Sequence, residues 1–222
     1  MNVLKLAVDA FMRQIYPPKC VLCGKIMTDP GQDICTECGA AAQVAAMQPW
    51  KIPHLKSCHA VWHYSGRVRD SLVRFKFWGR RNYARTYGRK IAEKIRESKV
   101  QYDVITWVPI SAFRNYRRGY DQVELIAKSV CRNLNTEPAA LLHKKRHNRK
   151  QSSIKGFEKR KQNVKDVYRL LPGMDVKGKR ILLLEDIITT GATISEAASV
   201  LKAHGAKEVH GFCVAVANRY HL

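Results

Sequence analysis

Arg180 to Thr193 reads RILLLEDIITTGAT. Its four consecutive apolar residues, Ile181 to Leu184, predict a strand covered on both faces, since a strand with one wet side would alternate. Ser195 to Gly205, SEAASVLKAHG, predicts an amphipathic helix closed by Gly205. A buried strand, a short loop and a helix make half of an α/β unit around a parallel sheet. The loop carries Thr189, Thr190, Gly191, Ala192 and Thr193. It offers hydroxyls and successive backbone N–H groups at a helix N-terminus, where the dipole favours an anion, and a glycine that lets the main chain come close. Glu185 and Asp186 can each accept a hydrogen bond from one of two neighbouring sugar hydroxyls. Phosphate loop and acid pair together predict a ribose 5-phosphate group as ligand, with Glu185 and Asp186 as the catalytic candidates. There is no GxxxxGK[ST], so this is not a Walker A loop.

Upstream, Asp103 to Pro109 (DVITWVP) predicts a second buried strand, stopped by Pro109 at a loop over Ile110 to Tyr116. A helix is expected from about Asp121, with Asp121 as N-cap and Glu124 completing a capping box. Ile110, Ser111, Arg114 and Arg118 then fall at a strand's carboxyl end, where open α/β sheets bind ligands, and would take a diphosphate. Glu208 to Val216 predicts the last strand. His143 to Asp166 is too polar for a core and holds Gly156 as a hinge candidate.

Cys20, Cys23, Cys35 and Cys38 form two CxxC pairs separated by 11 residues, with Gly24 and Gly39 directly after them. Two such knuckles predict a tetrahedral, structural zinc site. Two disulfides or a redox CxxC fit less well in a chain whose seven cysteines cannot all pair. Cys58, Cys131 and Cys213 read as small core residues.

The 222 residues suffice for one full α/β domain and an appendage. We expect a knuckle unit over 1–48, a connecting strand and helix segment over 49–100, and the sugar-phosphate domain over 101–222. No apolar run reaches the roughly 18 residues of a membrane span. Asp9 and Arg13 interrupt the N-terminal pattern, so a short helix with Leu4, Ala7, Phe11 and Ile15 on one face is expected there rather than a signal peptide, and a cytoplasmic home.

Forty Lys and Arg against 18 Asp and Glu give a formal charge of +22, an excess that points to polyanionic partners. Arg67 to Arg89 interleaves cations with aromatics, and His143 to Lys165 is a second basic tract. Rings that stack bases beside cations that meet phosphates suit single-stranded DNA. The candidates are Arg74, Lys76, Phe77, Trp78, Lys144, Lys145, Arg146, Arg149 and Lys150. A solvated basic surface, or a pocket for a small anion, is the plainer reading.

The order of these features resembles the ComF family, phosphoribosyltransferase-like proteins associated with bacterial natural competence. Val108 and Pro109 match its diphosphate-loop strand, and Arg118, Gly119, Tyr120 and Gln122 match an RG[FY]xQ element. Gln151, Arg160 and Asn163 match a flexible-loop element, and Glu185 to Thr193 the phosphoribosyl motif. The chain departs from the pattern at Asp121, where the family commonly has Asn, at Glu185, often Asp, and at Asn148 and Lys150. The resemblance implies a type I phosphoribosyltransferase-like sheet, phosphoribosyl diphosphate bound with Mg²⁺, and DNA-uptake or recombination proteins as partners. No sequence element names an acceptor, and a nucleotide-salvage phosphoribosyltransferase is the competing function.

Overall fold

The computed structural model describes residues 17–29, 31–45, 51–145 and 166–217. A parallel sheet of order β1-β6-β5-β2 is built from β1 (Ser57–His63), β2 (Val104–Trp107), β5 (Arg180–Ile188) and β6 (Glu208–Val216). β3 (Leu142–Lys144) and β4 (Tyr168–Leu170) pair separately and antiparallel. The helices are α1 (Thr36–Ala41), α2 (Gly66–Phe77), α3 (Tyr83–Ser98), α4 (Ala112–Arg118), α5 (Gln122–Leu134) and α6 (Ala192–Ala203). The expected α/β class and the four-cysteine appendage are both present.

The apolar run of β5 is covered on both faces. Leu182 and Leu184, with Phe212 and Val214 of β6, join a core made with α2, α3 and α5. Ile181 and Leu183, with Cys213, join a second core with α6, Leu142 of β3 and Tyr168 of β4. Tyr87, Ile91 and Ile95 recur at helical spacing on α3 and are buried there. Each fully buried side chain of this size contributes about 1.5–3 kcal/mol against exposure. At Gly88 α3 meets α5 so closely that a Cβ would stand 2.4 Å from the Ser129 Cβ.

Residues 57–98, read from sequence as a connecting segment, supply β1 at the sheet edge and the helices α2 and α3. The knuckle side chains Cys20, Val21, Leu22, Met27 and Cys38 share a core with α2 and α3.

Three boundaries differ from expectation. β5 runs on through the acid pair to Ile188, because β6 continues to pair with it after β2 has stopped at Trp107↔Leu184. The loop expected over Ile110 to Tyr116 contains α4, opened by Ser111, whose side chain accepts from the Arg114 N–H, and closed by Gly119 at φ 74°. α6 begins at Ala192 rather than Ser195, with Gly191 at φ 70° as its N-cap, so Ala192 and Thr193 lie in its first turn. The N-terminal helix, the hinge candidate Gly156, Gln151, Arg160 and Asn163, and the departures Asn148 and Lys150 lie outside the described residues.

Candidate functional site: a sugar-phosphate pocket and a four-cysteine centre

All four strands of the sheet are parallel, so their carboxyl ends open on one edge. A pocket of about 680 Å³ lies there, lined by Tyr64 after β1, Val108 to Ile110 after β2, and Glu185, Asp186, Ile187, Thr189 and Thr193 along β5 and its loop. Arg114, Arg117 and Arg118 of α4 also face it, as do Lys76 and Phe77 of α2, Lys144 of β3 and Tyr168 of β4. The β2–β5 pairing stops at Trp107↔Leu184, one residue before the acid pair, and both acids line the pocket.

Asp186 is 4% exposed and already held from two sides. Lys76 Nζ lies 3.0 Å from Oδ1, and Gln122 Nε2 donates to Oδ2 at 2.9 Å. Arg118 in turn donates to Gln122 Oε1. The RG[FY]xQ element thus reaches the acid pair through a chain of two hydrogen bonds. The Glu185 carboxyl accepts no hydrogen bond from a side chain or backbone group among the described residues, although its main chain lies in the β5–β6 ladder. Burial, and then the Asp186 charge, raise its carboxyl from 4.5 to about 8, against the pull of Lys76 and Lys144. Of the two acids it is the one whose carboxyl has acceptor capacity unused by the described residues.

Lys144 faces the pocket beside Tyr168, 3.3 Å from its hydroxyl. Burial, and then Arg114, pull its ammonium down to about 8. Cations crowded in a partly desolvated pocket repel one another, and an arriving anion relieves that repulsion.

The remaining phosphate and diphosphate candidates have structural duties. Ser111 is buried as the cap of α4. Thr190 Oγ1 accepts from the Ala192 N–H at 3.4 Å. Asp121 does not line the pocket: its carboxylate accepts from the N–H groups of Ile110, Val123 and Glu124. The capping box is not completed by Glu124, which pairs with Lys128 at 2.6 Å.

The DNA candidates divide. Phe77 and Trp78 are 58% and 67% exposed, and Lys145 is exposed. Lys76 and Lys144 belong to the pocket. Arg74 is committed inside the molecule, donating to the Leu22 carbonyl at 2.6 Å. Arg146, Arg149 and Lys150 lie outside the described residues. Sequence reasoning missed Tyr64, Phe113 and Tyr168, which come to the pocket from three separate places in the chain and share no motif.

The four cysteine Sγ atoms all lie within 4.8 Å of one another. Cys23 and Cys35 are 3.9 Å apart, against about 3.8 Å for the edge of a tetrahedron with Zn–S bonds of about 2.3 Å. The Cys35 N–H points at Cys20 Sγ and the Lys25 N–H at Cys23 Sγ. Burial pushes the Cys20 thiol up, but donors at Cys35, Cys23 and Leu22 outweigh it and bring it to about 7. Arg67 adds a guanidinium 3.3 Å from Cys38 Sγ. Burial nonetheless holds the Cys23 and Cys38 thiols up, Cys38 at about 12; four sulfurs at the spacing of a tetrahedral edge, with N–H donors aimed at them, fit a zinc ion, whose charge would favour all four thiolates. Arg67, Arg74 and Arg89, which pairs with Asp33 at 2.9 Å, clasp the knuckle to α2 and α3.

Residues 123–221 match the model of the phosphoribosyl transferase domain. Competence protein F of Haemophilus influenzae is 27% identical over 190 residues, covering 79% of this chain and 81% of that protein. Competence protein ComFC of Streptococcus pneumoniae is 30% identical over 156 residues, 70% of this chain and 66% of that one. This chain is a ComF-family, phosphoribosyltransferase-like protein. Among solved structures, glutamine phosphoribosylpyrophosphate amidotransferase from B. subtilis has a TM-score of 0.39 at 25% identity, over 59% of this chain and a quarter of that enzyme. No helix among the described residues of this ComF-family chain is long and apolar enough to cross a membrane.

Proposed function

We propose that this ComF-family protein is a cytoplasmic factor of natural competence that binds phosphoribosyl diphosphate and single-stranded DNA during DNA uptake. The observation that carries the reading is one cavity in which an acid pair, a threonine-rich helix N-terminus and a set of cations converge. In this reading the backbone N–H groups of Gly191 to Thr193 and the Thr189 and Thr193 hydroxyls take the 5-phosphate. Glu185 accepts from a ribose hydroxyl, while Lys76 and Gln122 hold Asp186 in place. Arg114, Arg118 and Lys144 face the diphosphate. The competence roles in the names of the H. influenzae and S. pneumoniae relatives support the biological half, and the charge of +22 supports the strand.

The four cysteines would hold a structural zinc ion that keeps the knuckle folded. Mg²⁺, which usually keeps several waters and binds through substrate phosphates, would come with the diphosphate, and Glu185 is the pocket carboxyl that could meet it. An acceptor entering the pocket would displace diphosphate at the anomeric carbon, and the three cations would neutralise the charge that develops on the leaving group.

Isothermal titration with phosphoribosyl diphosphate and Mg²⁺, alongside anisotropy with a labelled single strand over a salt series, tests both halves. If about five phosphates are neutralised, the strand's log-log salt slope should be about −3.5, at about −0.7 per contact. Sugar-phosphate binding with diphosphate release to an added base, and no strand binding, would favour the salvage enzyme.

A further inference from the structure

Seven large apolar side chains stand exposed among the described residues, and four of them, Phe77, Trp78, Phe113 and Tyr116, are aromatic rings of α2's end and α4. Phe77 and Phe113 both line the sugar-phosphate pocket. Each carries a guanidinium from α4: Arg118 lies 5.3 Å from the Phe77 centroid and Arg117 lies 5.9 Å from that of Phe113. Nearby cations are Arg80 and Arg81, both exposed, and Arg114 in the pocket. A surface with this many solvated rings marks a partner, and its charge selects a polyanion. Flat rings paired with planar guanidinium groups are what unpaired bases stack on. A duplex hides those base faces, and a lipid surface would need a continuous apolar face rather than rings set around a polar cavity.

We propose that this rim is a base-stacking platform, with Phe113, Tyr116 and Arg117 of α4 joining Phe77, Trp78 and Arg118, and that a single DNA strand lies across the mouth of the sugar-phosphate pocket. The inference rests on the strand binding proposed above and adds the place where it occurs. Two consequences follow from the shared mouth. The strand's affinity depends on α4, a helix that belongs to neither basic tract. The two ligands also compete for Arg114, Arg117 and Arg118, so each weakens the other by the same factor.

The test is fluorescence anisotropy with a labelled oligothymidylate of about 12 nucleotides. Phe113→Ala with Tyr116→Ala should weaken binding about 5- to 150-fold for each ring that stacks a base, with the salt slope little changed. Both rings are more than half exposed, 52% and 88%, so thermal unfolding should stay near the parent's; Phe77→Ala is the second variant if it does not. Saturating phosphoribosyl diphosphate with Mg²⁺ should lower the parent's oligonucleotide affinity. A parent that binds the strand while both variants bind it equally well overturns the platform. A parent whose strand affinity ignores the sugar phosphate overturns the shared mouth. Equal competition by anionic phosphatidylglycerol vesicles would assign the rings to a membrane. A parent that binds no strand at all instead removes the reading on which this inference rests.

Discussion

Lys76→Met isolates the contact that most distinguishes this pocket. The ammonium is 3.0 Å from an Asp186 carboxylate whose side chain is 6% exposed, while Lys76 itself is 21% exposed. At an effective dielectric constant of about 20 the pair's attraction is about 5.5 kcal/mol, before the cost of desolvating both groups is set against it. What the variant measures is the penalty for leaving a buried carboxylate with one neutral donor, Gln122, beside a second carboxyl. Losing one partner of a buried pair costs about 3–5 kcal/mol, and the partial exposure of Lys76 places this one near the lower end. At about 3 kcal/mol, for a chain of this length, that is a fall of about 6–12 °C in Tm. The assay is thermal unfolding by circular dichroism in the absence of ligand, for the parent, Lys76→Met, Asp186→Asn and the double variant. The double variant should recover much of the loss, since no uncompensated charge remains. A single variant within about 0.5 kcal/mol of the parent, or a double variant no better than the sum of the singles, would refute the pairing.

Metal analysis should find about one zinc per chain, and Cys20→Ser with Cys23→Ser should lose it along with the fold of the knuckle; full occupancy in that variant would count against the site. Glu185 has a folded-state pKa of about 8, above its ordinary 4.5. The unliganded protein binds the extra proton, and the associated stability is present below about 4.5 and lost as pH rises toward about 8. Glu185→Gln should therefore gain on the parent in Tm steadily over that window, and a constant difference would argue against a buried, proton-binding carboxyl. Gly88→Ala should destabilise by about 1–3 kcal/mol, because its Cβ meets Ser129 at the α3–α5 contact; a neutral result would mean that the helices move apart freely.

The parts of the fold legible from sequence are those where neighbouring residues decide. The apolar run of β5, the alternation of β6, the doubled CxxC and the TTGAT loop each carry their meaning within about twenty consecutive residues. β1 was harder, because Ser57 and His59 are buried polar residues that satisfy one another and His210 across the sheet, a pattern no local hydropathy reveals. α4 was read as loop because its seven residues, AFRNYRR, bury none of their side chains and so show no apolar stripe. The basic tract was only partly legible, for a different reason. A cation's partner is fixed by tertiary structure, and Arg67, Arg74, Arg89 and Lys76 spend their charge on the knuckle and on Asp186. The resemblance placed Gln122 among the matched residues, yet only the fold shows it as the link between Arg118 and the acid pair.

The central claim is that the pocket is a phosphoribosyl diphosphate site organised by Glu185 and Asp186. Its most direct measurement is calorimetric titration of that ligand with Mg²⁺ into the parent and into Glu185→Ala with Asp186→Ala, each variant first checked for an intact unfolding transition. The account predicts saturable binding by the parent and none detectable in the folded variant. Equal binding by both proteins, or none by the parent, would contradict it.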